Sequence, residues 1–375
     1  MATLRSLAAL ETPALVLDDT RMERNLARMR THLQRLSVRA RPHVKTCKSL
    51  PIVARMVDGA GGPVTVSTLQ EAERCFAAGH RDVLYAVGLA PNKLDHVLDL
   101  RARGCDLNVV VDGIDGAAAI AARRADIPVL LEIDSDDHRA GIRPQDDALL
   151  ATARRLADGA VVRGVMTHAG ASYDCRSRAE IVAMAHRERD AVVTAAARLR
   201  TAGFAAPVVS VGSTPTALFA DDLTGVTEVR AGVYVFMDLV MVGLGVCAFE
   251  DLAISVLCSV IGHQRDKNWL ITDGGWMALS RDRGTSAFAV DHGYGAVCDV
   301  RGGLVPDLVV HGTNQEHGLV ARRDGGALDF ARFPVGTLLR VLPNHACATA
   351  AQHDRYHVVR GGNEVLATWP RFSGW

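Results

Sequence analysis

The sequence has no excess of charge of either sign: its 375 residues carry 42 Lys and Arg against 42 Asp and Glu, and no basic run recurs along one face. A phosphate-coated polymer or an anionic membrane surface is therefore a poor partner, and a small molecule is a better one. No stretch reaches membrane-spanning length without charge or glycine. The opening residues, MATLRSLAALETPALVLDD, lack an apolar core long enough for a signal peptide followed by a cleavage site. These absences predict a soluble, cytoplasmic protein that binds neither nucleic acid nor membrane. No CxxC pair occurs among Cys47, Cys75, Cys105, Cys175, Cys247, Cys258, Cys298 and Cys347, so they read as free thiols rather than a disulfide framework. There is also no internal repeat, no low-complexity linker and no GxGxxG after the first strand, which removes the main support for a dinucleotide site.

What is present is a change of texture along the chain. The length predicts one large domain and a smaller one. From about residue 38 to 232, β-branched runs alternate with alanine-rich amphipathic stretches, the pattern of a parallel sheet wound with helices. The expected strands are Val38 to Lys45, Val64 to Thr68, Asp82 to Val87, Leu107 to Asp112, Ile127 to Asp134, Val161 to His168, Pro207 to Ser213 and Thr227 to Gly232. Eight βα units make a closed (β/α)8 barrel the economical reading, with an open doubly wound sheet as the alternative. After about residue 245 glycine and asparagine turns separate β-rich runs, which predicts a second, all-β domain. The strand Ala14 to Leu17 is surplus to the barrel and can join that domain. The expected division is a barrel over 20–245 and a β domain built from 1–19 and 246–375.

In such a barrel, functional side chains gather at the carboxyl ends of the strands. Lys45 ends the first, Ser67 and Thr68 the second; Arg139 follows the fifth, His168 ends the sixth, Gly212, Ser213 and Thr214 follow the seventh, and Tyr234 the eighth. By position alone a lysine there is more often a solvated rim residue. In VSVGSTPTA, however, a strand passes through Gly212-Ser213-Thr214 into Pro215, so backbone N–H groups and hydroxyls are expected to meet at a helix start and cradle a phosphate. The same pattern also starts ordinary helices. A phosphate cradle and a lysine on one rim point to a phosphorylated aldehyde cofactor, of which pyridoxal phosphate is the common one. Farther on, His345 and Cys347 stand two apart, and on a strand they would face the same way and could share one cation. Zinc suits that nitrogen and sulfur pair, with manganese or magnesium as alternatives. By spacing alone a His-x-Cys is far more often a core pair.

The segments Thr12-Pro13, Arg41-Pro42-His43-x-Lys45-Thr46-x-Lys48, Thr167-His168-Ala169-Gly170-x-Ser172-Tyr173, Gly212-Ser213-Thr214-Pro215-Thr216, Arg230-x-Gly232-x-Tyr234, Asn314-Gln315-Glu316-His317-Gly318 and Pro343-Asn344-His345-Ala346-Cys347 together resemble a known family. It comprises the fold-type III pyridoxal-phosphate enzymes grouped as D-serine dehydratases and D-threonine aldolases, and the resemblance covers nearly the whole chain. It implies an alanine-racemase-like barrel with a β domain, and a homodimer. It further implies that Lys45 holds the cofactor as a Schiff base, that Arg139 lies near the pyridine nitrogen and that His168 stacks on the ring. The loop Gly212 to Thr214 and Tyr234 would bind phosphate, His43 and Tyr173 would also line the cofactor, and His345 with Cys347 would bind a divalent metal. Many members carry His where this chain has Cys47, which weakens any role for position 47.

The expected activity is metal-assisted β-elimination on a D-3-hydroxy amino acid, giving a 2-oxo acid and ammonia, with Lys45 as the base at Cα. Retro-aldol cleavage to glycine and an aldehyde is the close rival. The string HACATAA and Asp174 after the THAGASY segment favour dehydration. Racemization and a non-catalytic cofactor-handling role rank lower, because the first leaves the metal pair idle and the second needs no β domain. His353 and His357 read as packing or surface residues, and Asp238 as a residue that steadies a ligand or only a turn.

Overall fold

The computed structural model describes residues 5–57, 59 and 61–375. The chain divides into two compact units, one holding the chain up to Ala27 together with Val233–Ser373, the other Arg28–Gly232 and the last two residues. The helix Asp19–Arg35 runs through the first division and buries Met22, Leu26, Met29 and Leu33, the apolar stripe its 3.6-residue spacing demands.

The second unit is the parallel barrel that the alternating pattern requires. Its strands are Arg39–Ala40, Val64–Val66, Asp82–Gly88, Asp106–Val111, Ile127–Glu132, Ala160–Met166, Val208–Val211 and Glu228–Val229. They pair in chain order, and the eighth pairs back to the first. A bridge between His43 and Thr65, with the Thr65 N–H donating to the Pro42 carbonyl at 2.9 Å, joins the first strand to the second and closes the ring. Val83, Leu107, Val109, Val129, Leu131, Val165 and Val209 are all buried, because helices cover the outside and side chains fill the inside.

The first strand is shorter than expected. Regular pairing ends at Ala40, and Val44–Thr46 form a 3-10 turn, so Lys45 stands on a turn just past the strand rather than at its end. The physical reason is Pro42, which has no N–H to give to the ladder. The remaining donors hold the course of the chain, Arg41 to the Val229 carbonyl and His43 to the Ala231 carbonyl, each at 2.8 Å.

In the other unit, Ile254–Gln264, Trp269–Thr272, Gly318–Arg322, Leu304–Thr313, Ala296–Asp299 and Leu338–Leu342 close into a six-stranded antiparallel ring, since Trp269–Thr272 pairs with both of its neighbours. Ala14–Asp18 joins it antiparallel to Ile254–Leu257 and carries Arg355–Val359 and Ala367–Pro370 beyond it. The surplus N-terminal strand thus lies in the β-rich unit. Ala296–Asp299 and Gly318–Arg322 are strands that the sequence pattern did not announce. None of the eight cysteines is joined in a disulfide. No helix among the described residues is long and apolar enough to cross a membrane.

Candidate active site

At the carboxyl end of the first barrel strand, His43 caps the turn that carries Lys45: its Nδ1 accepts the Lys45 N–H at 3.4 Å. Gly232 is required beside this turn, where a Cβ would stand 2.7 Å from Thr46 Oγ1 and 3.1 Å from the His43 carbonyl. Of the two lysines in the motif, Lys48 is committed to Glu71 at 3.0 Å, a carboxylate that also accepts the Ser67 N–H. Lys45 is exposed. Lys45 is therefore the amine available for chemistry.

His168 follows the sixth strand, and its Nδ1 lies 2.6 Å from the Gly212 carbonyl. A carbonyl only accepts, so Nδ1 carries the proton and Nε2 is left bare. Burial, with the charges of Lys45, Arg139 and Arg230 added, lowers the imidazole pKa to about 3, against the Gly212 bond that raises it. Burial and the Lys45 charge likewise hold His43 well below its ordinary range. Two neutral rings thus stand among cations, an arrangement suited to a phosphate and a carboxylate. Tyr173 lies 6.5 Å from His168, ring centre to ring centre, at a tilt of 46°.

The loop after the seventh strand approaches backbone closely: a Cβ at Gly212 would stand 1.7 Å from the Arg230 carbonyl. Ser213 caps the short helix Thr214–Phe219, its Oγ accepting the Thr216 N–H at 3.2 Å. The same hydroxyl contacts Thr216 Oγ1 at 2.8 Å and Ser172 Oγ at 2.9 Å. Here the structure alters the expected cradle. The Ser213 side chain is turned inward, and what it has left to offer an anion is its backbone N–H.

Behind the loop stands Glu188, which the sequence reading missed. It accepts the N–H groups of Ala169 at 3.2 Å and Gly212 at 2.9 Å, and the Thr216 hydroxyl at 2.7 Å. Burial raises its pKa while these donors and Arg230 oppose the rise. A signal was present. On the helix Arg178–Thr201 the buried stripe runs Ile181, Met184, Ala185, Glu188, Val192, Ala195, Ala196, Leu199, so a carboxylate occupies an apolar position.

Arg139 lies in the loop after the fifth strand, more than half exposed, 3.1 Å from the buried Glu132 carboxylate, and near enough to His168 to depress its pKa. That loop is tied to the His168 segment by Ser135 with Thr167 at 3.0 Å and by the Ala171 N–H to Asp136 at 2.8 Å. Tyr234 belongs to the other unit, buried in the turn Val233–Val235. The barrel rim thus brings together Lys45, His43, Arg139, His168, Tyr173 and the Gly212 to Thr214 loop. Its cations, its neutral imidazoles and the tight approach at Gly212 fit a phosphorylated pyridine aldehyde.

The His345 and Cys347 pair is not on a strand. Pro343 ends the preceding run, and His345 is the extended cap of the short helix Ala346–Ala350, with Cys347 in its first turn. The convergence expected from strand alternation is reached by a helix start instead, where the His345 ring and the Cys347 thiol interact. Asp282 holds the His345 Nδ1 at 2.8 Å. Burial disfavours charge on this ring, yet Asp282 and Cys347 carry its pKa up to about 11, the mark of surroundings that stabilise positive charge. Asp238 caps the helix Leu239–Gly243 and accepts the Ala346 N–H at 3.0 Å, which makes it a backbone anchor of the pair. His353 bonds the Ala278 carbonyl at 3.0 Å, a packing role. Among the described residues no group of three or more His, Cys, Asp or Glu side chains forms a ready metal cage. Two donors, with the ring held at Nδ1 by a carboxylate and turned toward the thiol, fit a cation with open positions.

A family model described as alanine racemase, N-terminal domain, matches residues 17–240, and one described as a putative serine dehydratase domain matches residues 253–359. The chain is 54% identical to the D-threo-3-hydroxyaspartate dehydratase of Delftia sp. (strain HT23) over 99% of each chain. It is 31% identical to the D-threonine aldolase of Arthrobacter sp., over 95% of this chain and 91% of that one. Solved structures exist for two variants of D-threo-3-hydroxyaspartate dehydratase, each 54% identical and covering 99% of this chain. A histidine-to-alanine variant superposes with a TM-score of 0.96 over 97% of its own chain, and a cysteine-to-alanine variant in the metal-free form with 0.95 over 100%. The altered histidine and cysteine stand two positions apart. The chain belongs to the fold-type III pyridoxal-phosphate family, in the branch where an alanine-racemase-like barrel is joined to a serine-dehydratase domain.

Proposed function

We propose that this protein is a pyridoxal-phosphate and metal-dependent dehydratase of D-3-hydroxy amino acids, releasing a 2-oxo acid and ammonia. The observation that carries the reading is the His345 and Cys347 pair braced by Asp282, whose spacing equals that of the histidine and cysteine altered in the two dehydratase variants. When bound, pyridoxal phosphate acidifies the Cα–H of an amino acid condensed with it, and a divalent cation turns the β-hydroxyl into a better leaving group.

This chain's own groups take the remaining parts. Lys45 Nζ holds the cofactor and then accepts the Cα proton. His168 presents a neutral ring to the cofactor face, its orientation held by the Gly212 carbonyl. Arg139 is assigned to the pyridine nitrogen, His43 to the Lys45 turn, and Tyr173, Tyr234 and the Gly212 to Thr214 backbone to the cofactor and its phosphate. His345 and Cys347 hold the cation, for which zinc is assigned from the thiolate. Water lost at Cβ is returned when the released enamine hydrolyses, so the net product beside the oxo acid is ammonia. A homodimer and a cytoplasmic location are part of the same reading.

Incubation with D-serine, D-threonine and 3-hydroxy-D-aspartate, with 2-oxo acid and glycine measured separately, tests it. Oxo acid that disappears on chelation and returns with zinc is the expected result. Glycine with an aldehyde would overturn dehydration in favour of the retro-aldol reaction that the Arthrobacter relative's name describes. Lys45→Ala, run alongside, is expected to lose the cofactor's visible absorbance.

A further inference from the structure

The hydroxyls behind the phosphate loop form a series whose direction is dictated by one carboxylate. An ionised carboxylate has no proton to give, so the 2.7 Å contact between Thr216 and Glu188 uses the Thr216 proton. Thr216 can then only accept from Ser213 at 2.8 Å, and Ser213, its proton committed, can only accept from Ser172 at 2.9 Å. The second lone pair of Ser213 takes the Thr216 N–H. Ser213 is saturated, and all three hydroxyl protons run toward Glu188. The other carboxylate oxygen takes the N–H groups of Ala169 and Gly212, which ties the segment carrying His168 to the loop. Ser172, Ser213 and Thr216 are all buried, as is Glu188, so water does not compete for these bonds.

We propose that Glu188 is the positioning residue of the phosphate loop: it draws the hydroxyl protons of Ser172, Ser213 and Thr216 inward and fixes the loop's backbone, so that at Ser213 a phosphate is met by the backbone N–H rather than by the hydroxyl. The inference rests on the reading that the Gly212 to Thr214 loop holds the cofactor phosphate. Glu188 touches no substrate, so its signature is discrimination between a cofactor with and without phosphate. The cofactor is dialysed from the full-length protein, which is then titrated with pyridoxal phosphate and with pyridoxal, following the visible absorbance.

Glu188→Leu, which removes every acceptor, is expected to weaken pyridoxal phosphate binding about tenfold to a hundredfold while pyridoxal binding changes by less than about twofold. Glu188→Gln keeps an oxygen for the two N–H groups but must donate to Thr216 through its amide nitrogen, which reverses the series. Its preference for pyridoxal phosphate is expected to fall about threefold to tenfold, with the thermal transition of the unaltered protein retained. A Glu188→Gln preference equal to or above that of the unaltered protein overturns the inference, and this variant decides alone if Glu188→Leu does not fold. If the unaltered protein binds pyridoxal as tightly as pyridoxal phosphate, the assignment of the loop to phosphate itself fails, a different result from a preference that Glu188 does not control.

Discussion

The reactivity of each functional side chain is set by what its unreactive side touches. His168 has its proton placed on Nδ1 by the Gly212 carbonyl and is kept neutral by burial and neighbouring cations, so it presents an uncharged ring at the barrel rim. His345 is built the opposite way, with the Asp282 carboxylate on its Nδ1 favouring positive charge. Carboxylates that hold a ligating imidazole raise metal affinity by about tenfold to a hundredfold. Asp282→Asn keeps an oxygen for the ring N–H but drops the charge, and it is expected to weaken zinc retention by about that factor, measured by competition with a chromogenic chelator. Retention equal to that of the unaltered protein would remove Asp282 from the metal site. At this scale the sequence was legible where a residue stands in a local motif, as Lys45 does, and silent where a partner is distant. Asp282 lies 63 residues from His345, and nothing in the local pattern links them.

Elements carry the site because strands of one barrel end on the same rim. The period-2 and period-3.6 patterns were enough to order the strands and to place Lys45, His168 and Gly212 at that end. They did not show where regular pairing stops. Pro42 ends the first strand before Lys45, and a helix start rather than a strand brings His345 to Cys347. The seventh strand turns into its helix through Gly212, where the Arg230 carbonyl lies in the space a side chain would need. Gly212→Ala must push that backbone aside. The variant is expected to retain less than about a tenth of its cofactor through gel filtration, read as the ratio of visible to ultraviolet absorbance, while far-ultraviolet dichroism stays close to that of the unaltered protein. Full retention would show that the close approach is dispensable.

At the scale of the whole barrel, closure depends on buried charge at the end away from the rim. Arg41 meets Glu228 at 2.8 Å and Asp82 at 2.7 Å, Arg39 meets Glu228 at 2.9 Å, and the Ser210 hydroxyl donates to Glu228 at 2.9 Å. These contacts link the first, third, seventh and eighth strands. Burial alone would raise the Glu228 pKa, but Arg41 and its companions outweigh it and hold the carboxyl below its ordinary 4.5. A depressed folded value means that the stabilisation is present above pH 4.5 and is lost as pH falls through that value. Glu228→Gln is expected to destabilise the protein by about 2–3 kcal/mol near neutrality, less than a fully orphaned buried pair because Asp82 still serves Arg41. The deficit, followed as the shift in thermal transition, should shrink as pH falls from 4.5 through the depressed folded value, where the unaltered protein also loses the charge. An equal deficit at all pH values would assign the effect to packing.

The alternation that winds a parallel barrel, the β-rich remainder and the motifs around Lys45 and around His345 and Cys347 can all be read from the chain alone, because each is written in residues close together in sequence. Folding alone settles which lysine is exposed and which is paired, which nitrogen of His168 bears the proton, and that Glu188 and Asp282 stand behind the Gly212 loop and the His345 and Cys347 pair. Those outcomes depend on burial and on bonds between residues far apart in sequence, and such contacts exist only once the chain has folded.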